Sequence, residues 1–176
     1  MKYFLLLLVT TLLVGRGQVG QAGPPPLPGR QLPFTVYVFL AESCPISQQA
    51  TLPLRELHAK YAARGVRFVG VFPGSTATAA SVAEFKGKYA VPFSLQLDPK
   101  QELTHRLKAS ITPEAVVMAA GGRILYQGRL DDRYAALGER RSLSQHHELA
   151  EALADLAAGR PVAVPRTEPV GCFIEQ

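Results

Sequence analysis

The chain is poor in the features that mark several functional classes. Its 176 residues hold two cysteines, Cys44 and Cys172, and no tryptophan. The two cysteines lie far apart, so there is no Cys-x-x-Cys pair and no dithiol within one turn of chain. Arg140-Arg141 is the single adjacent basic pair, and the other lysines and arginines are scattered. That excludes the basic stripe of a nucleic-acid binder. The longest apolar run, residues 3–14, is well short of the roughly 20 residues a spanning helix needs. There is no internal repeat. Hydrophobic content of 47% with 19% charged residues is that of an ordinary globular protein.

The N-terminus reads as an export signal. Lys2 precedes the apolar run, and Gly20-Gln21-Ala22 offers the small residues a signal peptidase needs for a cut after Ala22. No cysteine sits near that site, so a lipid anchor is not expected. Losing Lys2 and Arg16 with the signal takes the formal charge from +5 to +3. The expected organisation is a signal peptide at 1–22, a Pro/Gly-rich lead at 23–33, one domain at 34–159 and an extended tail at 160–176 carrying Cys172. Such a chain works in a periplasmic or extracellular compartment, where disulfides persist.

The most informative stretch is FTVYVFLAESCPIS, residues 34–47. Residues 34–40 are a nearly unbroken apolar and β-branched run, the mark of a strand buried on both faces. After a short polar break comes Cys44-Pro45, and then a helical pattern. A cysteine at that junction meets unpaired backbone N–H groups and the positive end of a helix dipole, and both favour the nucleophilic thiolate. Pro45 suits the first helical position. Cys44 is therefore a candidate reactive thiol, with a small buried core cysteine as the alternative.

The rest of the mature chain alternates strand and helix patterns. A helix is expected at 45–63, kinked at Pro53, then a strand at 66–72. A second helix runs to Tyr89 from Thr78 or Ser81, with Ser81 and Glu84 as a capping box. A short strand at 92–97 leads to Asp98-Pro99, an N-cap and first-turn proline for a third helix, with Gln101 completing the cap. Strands at 115–119 and 123–127 meet at Gly121-Gly122, which is hairpin chemistry. A last helix starts at Ser142 or Ser144 and ends at Gly159. The fold class is α/β: a mixed sheet with helices on both faces, followed by a proline-punctuated tail.

A reactive cysteine after the first core strand, Thr112-Pro113 just before a later strand, and a closing hairpin and helix together resemble the thioredoxin fold. Within it the chain is similar to the bacterial redoxins related to alkyl hydroperoxide reductase and thiol-specific antioxidant proteins. The matching words are SCPIS at 43–47, FVGVFPG at 68–74, Leu97-Asp98-Pro99, Thr112-Pro113-Glu114, YQGRLDD at 126–132 and VGCFI at 170–174. The resemblance implies a cis bond before Pro113, which packs beside the nucleophile. It implies a thiol-based oxidoreductase with Cys44 as nucleophile. Cys172, Ser47, Thr112 and Pro113 complete the implied site.

Two chemistries are open: thiol–disulfide exchange and thiol-dependent peroxide reduction. The sequence departs from both patterns. Ser47 replaces the second cysteine of Cys-x-x-Cys. Ala41 and Tyr37 stand where peroxiredoxins carry a hydroxyl residue and proline, and Pro113-Glu114 stands where they carry an arginine. Peroxide activation uses those donors, so fast peroxidase chemistry is disfavoured. Leu40, four residues before Cys44, argues against a copper-chaperone Cys-x-x-x-Cys-Pro. The 13 residues from Gly159 to Cys172 span up to about 45 Å, enough to bring Cys172 over Cys44. Such a pair could cycle, or could be a permanent staple worth up to roughly 5 kcal/mol. The rival function is thus a non-catalytic docking module with a fixed Cys44–Cys172 disulfide. Expected partners are a disulfide-bearing protein or small peroxide and an external thiol reductant, with no nucleic acid, no membrane after signal cleavage, no metal and no cofactor. Arg129, Asp131 and Asp132 read as a surface ion pair or partner contact. His58, His105, and His146-His147 in the last helix's first turn read as solvated or satisfied histidines.

Overall fold

Strand β1 (Phe34–Phe39) lies at the centre of a five-stranded sheet of order β3-β2-β1-β5-β6. The structure, a computed structural model, describes residues 34–175. The expected signal peptide and Pro/Gly-rich lead lie outside the described residues. β2 (Arg67–Pro73) and β3 (Ser94–Asp98) run parallel to β1 on one side, and β5 (Glu114–Ala119) and β6 (Ile124–Gly128) run antiparallel on the other. The sheet is mixed, as the pattern predicts. The β1 run lacks polar alternation because both its faces are covered. Val36 and Val38 pack on one side with Ala115 and Val117 of β5. Phe39 packs on the other with Val71 and Val116.

Helices α1 (Pro45–Tyr61), α2 (Ala79–Lys88) and α4 (Glu148–Ala157) contribute Leu54, Phe85 and Leu149 to the first layer. Helix α3 (Glu102–Leu107) covers the second layer with Leu103 and Leu107, and Ile174 from the chain's end joins them. The segment after Gly159 is extended and packs onto the domain. Its 165–167 stretch runs along β6, and its last strand, β9 (Cys172–Phe173), pairs antiparallel with β4 (Ile111–Thr112).

Several helix starts differ from the sequence reading, each for a local reason. α1 runs unbroken through Pro53 to Tyr61, and a 3-10 turn at Ala62–Arg64 ends in Gly65. The α2 capping box is made by Thr78 and Ser81 rather than Ser81 and Glu84, because Ser81 sits at the third helical position. Asp98 caps α3 from a distance. Pro99 lies in the intervening turn, and Gln101 sits in a left-handed conformation and donates to the Glu175 carbonyl at 2.6 Å. The Asp98 carboxylate accepts the Thr104 N–H at 2.8 Å and its hydroxyl at 2.7 Å.

α4 begins at Glu148, four residues or more later than expected. Buried Asp132 accepts the N–H groups of Gln145 and His146, which holds those residues out of the helix. His147 is therefore the residue before α4, not part of its first turn. The polar stretch before it carries an unexpected hairpin, β7 (Tyr134–Ala136) and β8 (Glu139–Arg140). Arg129 pairs with Glu148, Arg133 with Asp131 and Arg141 with Asp132, so Arg129 and the two aspartates do not pair with each other. Glu148 is a partner that sequence reading missed.

The Asp98→Ala variant tests the α3 cap. Removing a buried carboxylate leaves the Thr104 N–H and hydroxyl unsatisfied, so urea unfolding should show a loss of about 2–4 kcal/mol. A loss below half a kilocalorie, in the range of about 0.5 expected of a surface change, would contradict the cap.

Candidate active site

Cys44 sits where β1 hands over to α1. Leu40 N–H donates to the Val71 carbonyl, closing the strand, and Cys44 N–H then donates to Ala41 O at 3.2 Å. Pro45 opens the helix with Cys44 as the flanking residue. The intervening turn is braced from two helices. Gln48 Nε2 donates to the Glu42 carbonyl at 2.7 Å, and Ser81 Oγ donates to the Glu42 carboxylate at 2.8 Å.

The structure brings all five residues singled out from the sequence to one place. The Thr112–Pro113 bond is cis, as the resemblance implies. Thr112 sits in β4, where its register partner is Cys172, and its hydroxyl donates to the Cys172 carbonyl at 3.3 Å. The Cys172 and Cys44 sulfurs lie 2.6 Å apart, both as free thiols. A disulfide bond is about 2.05 Å, so pairing asks for little further approach. Cys44 is 1% exposed and Cys172 is half-buried. Fully buried Ser47 accepts the Ala41 N–H at 3.2 Å. Pro113 borders a small cleft with Ile46, Gln49, Arg129, Tyr134 and Val170. On the opposite side, Cys172 and exposed Phe173 border a second, open cleft with Ser43, Thr76 and Gln101.

The two thiols are driven apart in acidity. Burial works against a Cys44 thiolate, but hydrogen bonds from the Cys172 thiol and from the Ser47 N–H and hydroxyl outweigh it, so its pKa falls below the ordinary thiol value. Burial pushes the Cys172 thiol up to about 11, helped by its hydrogen bond to Cys44 and by the Cys44 charge. When protonated, Cys44 Sγ donates to the Thr112 carbonyl at 3.2 Å. On ionisation that bond is lost and Cys172 becomes the donor. The arrangement is one nucleophilic thiolate held against one protonated thiol.

A network that sequence reading missed underlies this pair. Glu114, buried at the start of β5, accepts the Ser110 N–H at 3.0 Å and Gln127 Nε2 at 2.7 Å. Arg166 of the tail donates to Gln127 Oε1 at 3.2 Å. The chain entering β4 and the tail are thus tied through one buried carboxylate. A buried Glu directly after Thr-Pro was the available signal. The histidines stand apart from this site: His58 packs edge-on against Phe68, and His105 is exposed on α3.

Comparison with known proteins agrees with this geometry. The Redoxin family model matches residues 31–142. No curated protein matches the chain. An uncharacterised conserved protein from Geobacillus kaustophilus is similar in structure, with a TM-score of 0.74 at 23% identity, over 84% of this chain and 79% of that one. A putative thiol:disulfide interchange protein, DsbE, from Chlorobium tepidum aligns with a TM-score of 0.53 at 18% identity, over 74% and 81%. A secreted Mycobacterium tuberculosis disulfide oxidoreductase aligns with a TM-score of 0.51 at 18% identity, over 74% and 84%. At these identities the likeness is one of fold.

Replacing Ser47 with alanine removes one donor to the Cys44 thiolate. The pH at which Cys44 becomes half-alkylatable by iodoacetamide should rise, slowing its alkylation at pH 7 by about three- to tenfold. An unchanged pH profile would show that the hydroxyl contributes nothing to the thiolate.

Proposed function

The chain belongs to the redoxin family, and we propose that within it Cys44 and Cys172 work as an exchanging dithiol pair that reduces disulfides. The observation that carries this reading is the 2.6 Å approach of the two sulfurs across the β4–β9 pairing. Cys172 takes the place that Ser47 vacates in a Cys-x-x-Cys site, reaching Cys44 from the far end of the chain.

The reaction runs in two displacements. The Cys44 thiolate attacks one sulfur of a client disulfide; that bond breaks, a mixed disulfide forms, and the departing client thiolate takes up a proton. Cys172 then loses its proton and attacks the Cys44 sulfur, expelling the second client thiolate and leaving a Cys44–Cys172 disulfide. Forming the mixed disulfide removes the Cys44 charge and its hydrogen bond, two of the causes that hold the Cys172 proton in place. The resolving thiol is thereby released when it is needed. An external thiol reductant supplies two electrons to restore the pair. The partners are therefore a disulfide-bearing protein and a thiol donor, with no cofactor in the cycle.

Exchange is favoured over peroxide reduction by what surrounds Cys44. Arg129, the arginine bordering the Pro113 cleft, is committed to Glu148 at 2.6 Å. Ala41 presents only its backbone N–H, and that N–H goes to Ser47. No helix among the described residues is long and apolar enough to cross a membrane. The N-terminal sequence of residues 1–22 supports work outside the cytoplasm.

The Cys172→Ser variant isolates the first displacement. Mixed with a disulfide-bearing protein such as insulin, it should accumulate a mixed disulfide through Cys44 that intact mass identifies, while Cys44→Ser forms none and loses reductase activity. A Cys44→Ser protein with full activity would overturn the reading.

A further inference from the structure

Resting on the reading of Cys44 and Cys172 as an exchanging pair, we infer that Gly171 is a positioning residue. Its missing Cβ lets the C-terminal strap lie against the Thr112 carbonyl, and so sets where the Cys172 sulfur meets Cys44. A Cβ at Gly171 would overlap the Thr112 carbonyl oxygen and carbon and crowd Ile111 Cγ2. Gly171 is not in the left-handed region, so alanine meets a purely steric obstacle there. The same Thr112 carbonyl faces Cys44 Sγ at 3.2 Å. One carbonyl group thus separates the strap from the nucleophile.

The strap cannot slide away from such an overlap, because it is held on both sides of Gly171. Upstream, Thr167 N–H donates to the Gln127 carbonyl at 3.1 Å, and its hydroxyl meets Tyr126 Oη at 2.8 Å and Arg129 N–H at 3.1 Å. It lies so close over Gly128, whose φ is +150°, that a Cβ there would strike Thr167. Arg166 adds its bond to Gln127. Downstream, Ile174 N–H donates to Ser110 O at 2.9 Å, and its side chain is buried with Leu103, Leu107 and Ala109. Between those anchors, an added methyl at 171 can be relieved only by bowing the strap outward, which lifts Cys172 off Cys44.

The test separates the two displacements in one experiment. The reduced protein is mixed with oxidised glutathione, quenched in acid at intervals and weighed intact. Cys44 attacks glutathione disulfide, releasing one glutathione thiolate and forming a glutathione adduct. Cys172, losing its proton, then expels the second glutathione thiolate and closes the internal disulfide. In the natural protein the adduct should not accumulate. In Gly171→Ala it should accumulate, with the second step slowed by at least about tenfold and the first not slowed, since sulfur-to-sulfur placement sets only the second. Ile174→Ser, which frees the strap without touching Thr112, should show the same split. Unchanged second-step rates in both variants, even with a lowered thermal midpoint, would make Gly171 a structural glycine and overturn the inference. If Gly171→Ala does not fold, Ile174→Ser decides alone. A natural protein whose adduct persists would instead overturn the exchanging-pair reading beneath it.

Discussion

The site depends on one short backbone pairing, Thr112 against Cys172. That pairing is only two residues long on each strand, yet it brings together segments from three parts of the chain. β1 and the first turn of α1 deliver Cys44, the segment before β5 delivers the Thr112 carbonyl, and the C-terminal strap delivers the second thiol. A two-residue pairing has little stability of its own. It is held instead by what flanks it: the buried Glu114 carboxylate, the Ile174 side chain in the second core layer, and Thr167 latched against β6. The chemistry of the pair is therefore borrowed from the packing of the tail.

The same placement governs the charges. Two ordinary thiols at this distance would compete for one proton. Burial alone would keep both protonated, and it is the donors aimed at Cys44 that decide which one ionises. The asymmetry gives each cysteine a distinct task in exchange: one is nucleophilic at rest, and the other becomes so after the first has reacted. It also explains how a chain with Ser47 at the second Cys-x-x-Cys position can retain dithiol chemistry. The hydroxyl supports the thiolate locally, and the resolving sulfur arrives from elsewhere.

Much of this was legible in the sequence, and the reasons are physical. The continuous apolar run before Cys44 could only be a strand buried on both faces, and Cys44-Pro45 marks a helix start through proline's fixed φ and missing donor. Residues that act through local rules were read correctly in kind. The misread helix starts share a different cause: side chains reaching across loops. Asp132 binds the backbone of residues 145 and 146, and Asp98 caps α3 past an intervening turn, which nearest-neighbour patterns do not encode. The strap was harder still. Chain length shows that Cys172 can reach Cys44 but not that it does. The glycine before Cys172 gains meaning only once the Thr112 carbonyl is seen against it.

The most direct test of the account is the reduction potential of the Cys44–Cys172 pair, measured by equilibrating the mature protein in glutathione buffers of graded ratio and weighing the alkylated product. A working pair should interconvert fully within the range such buffers cover, gaining and losing two hydrogens reversibly. A bond that stays closed at potentials below about −300 mV, as structural disulfides do, would contradict the account and leave a stapled docking domain in its place.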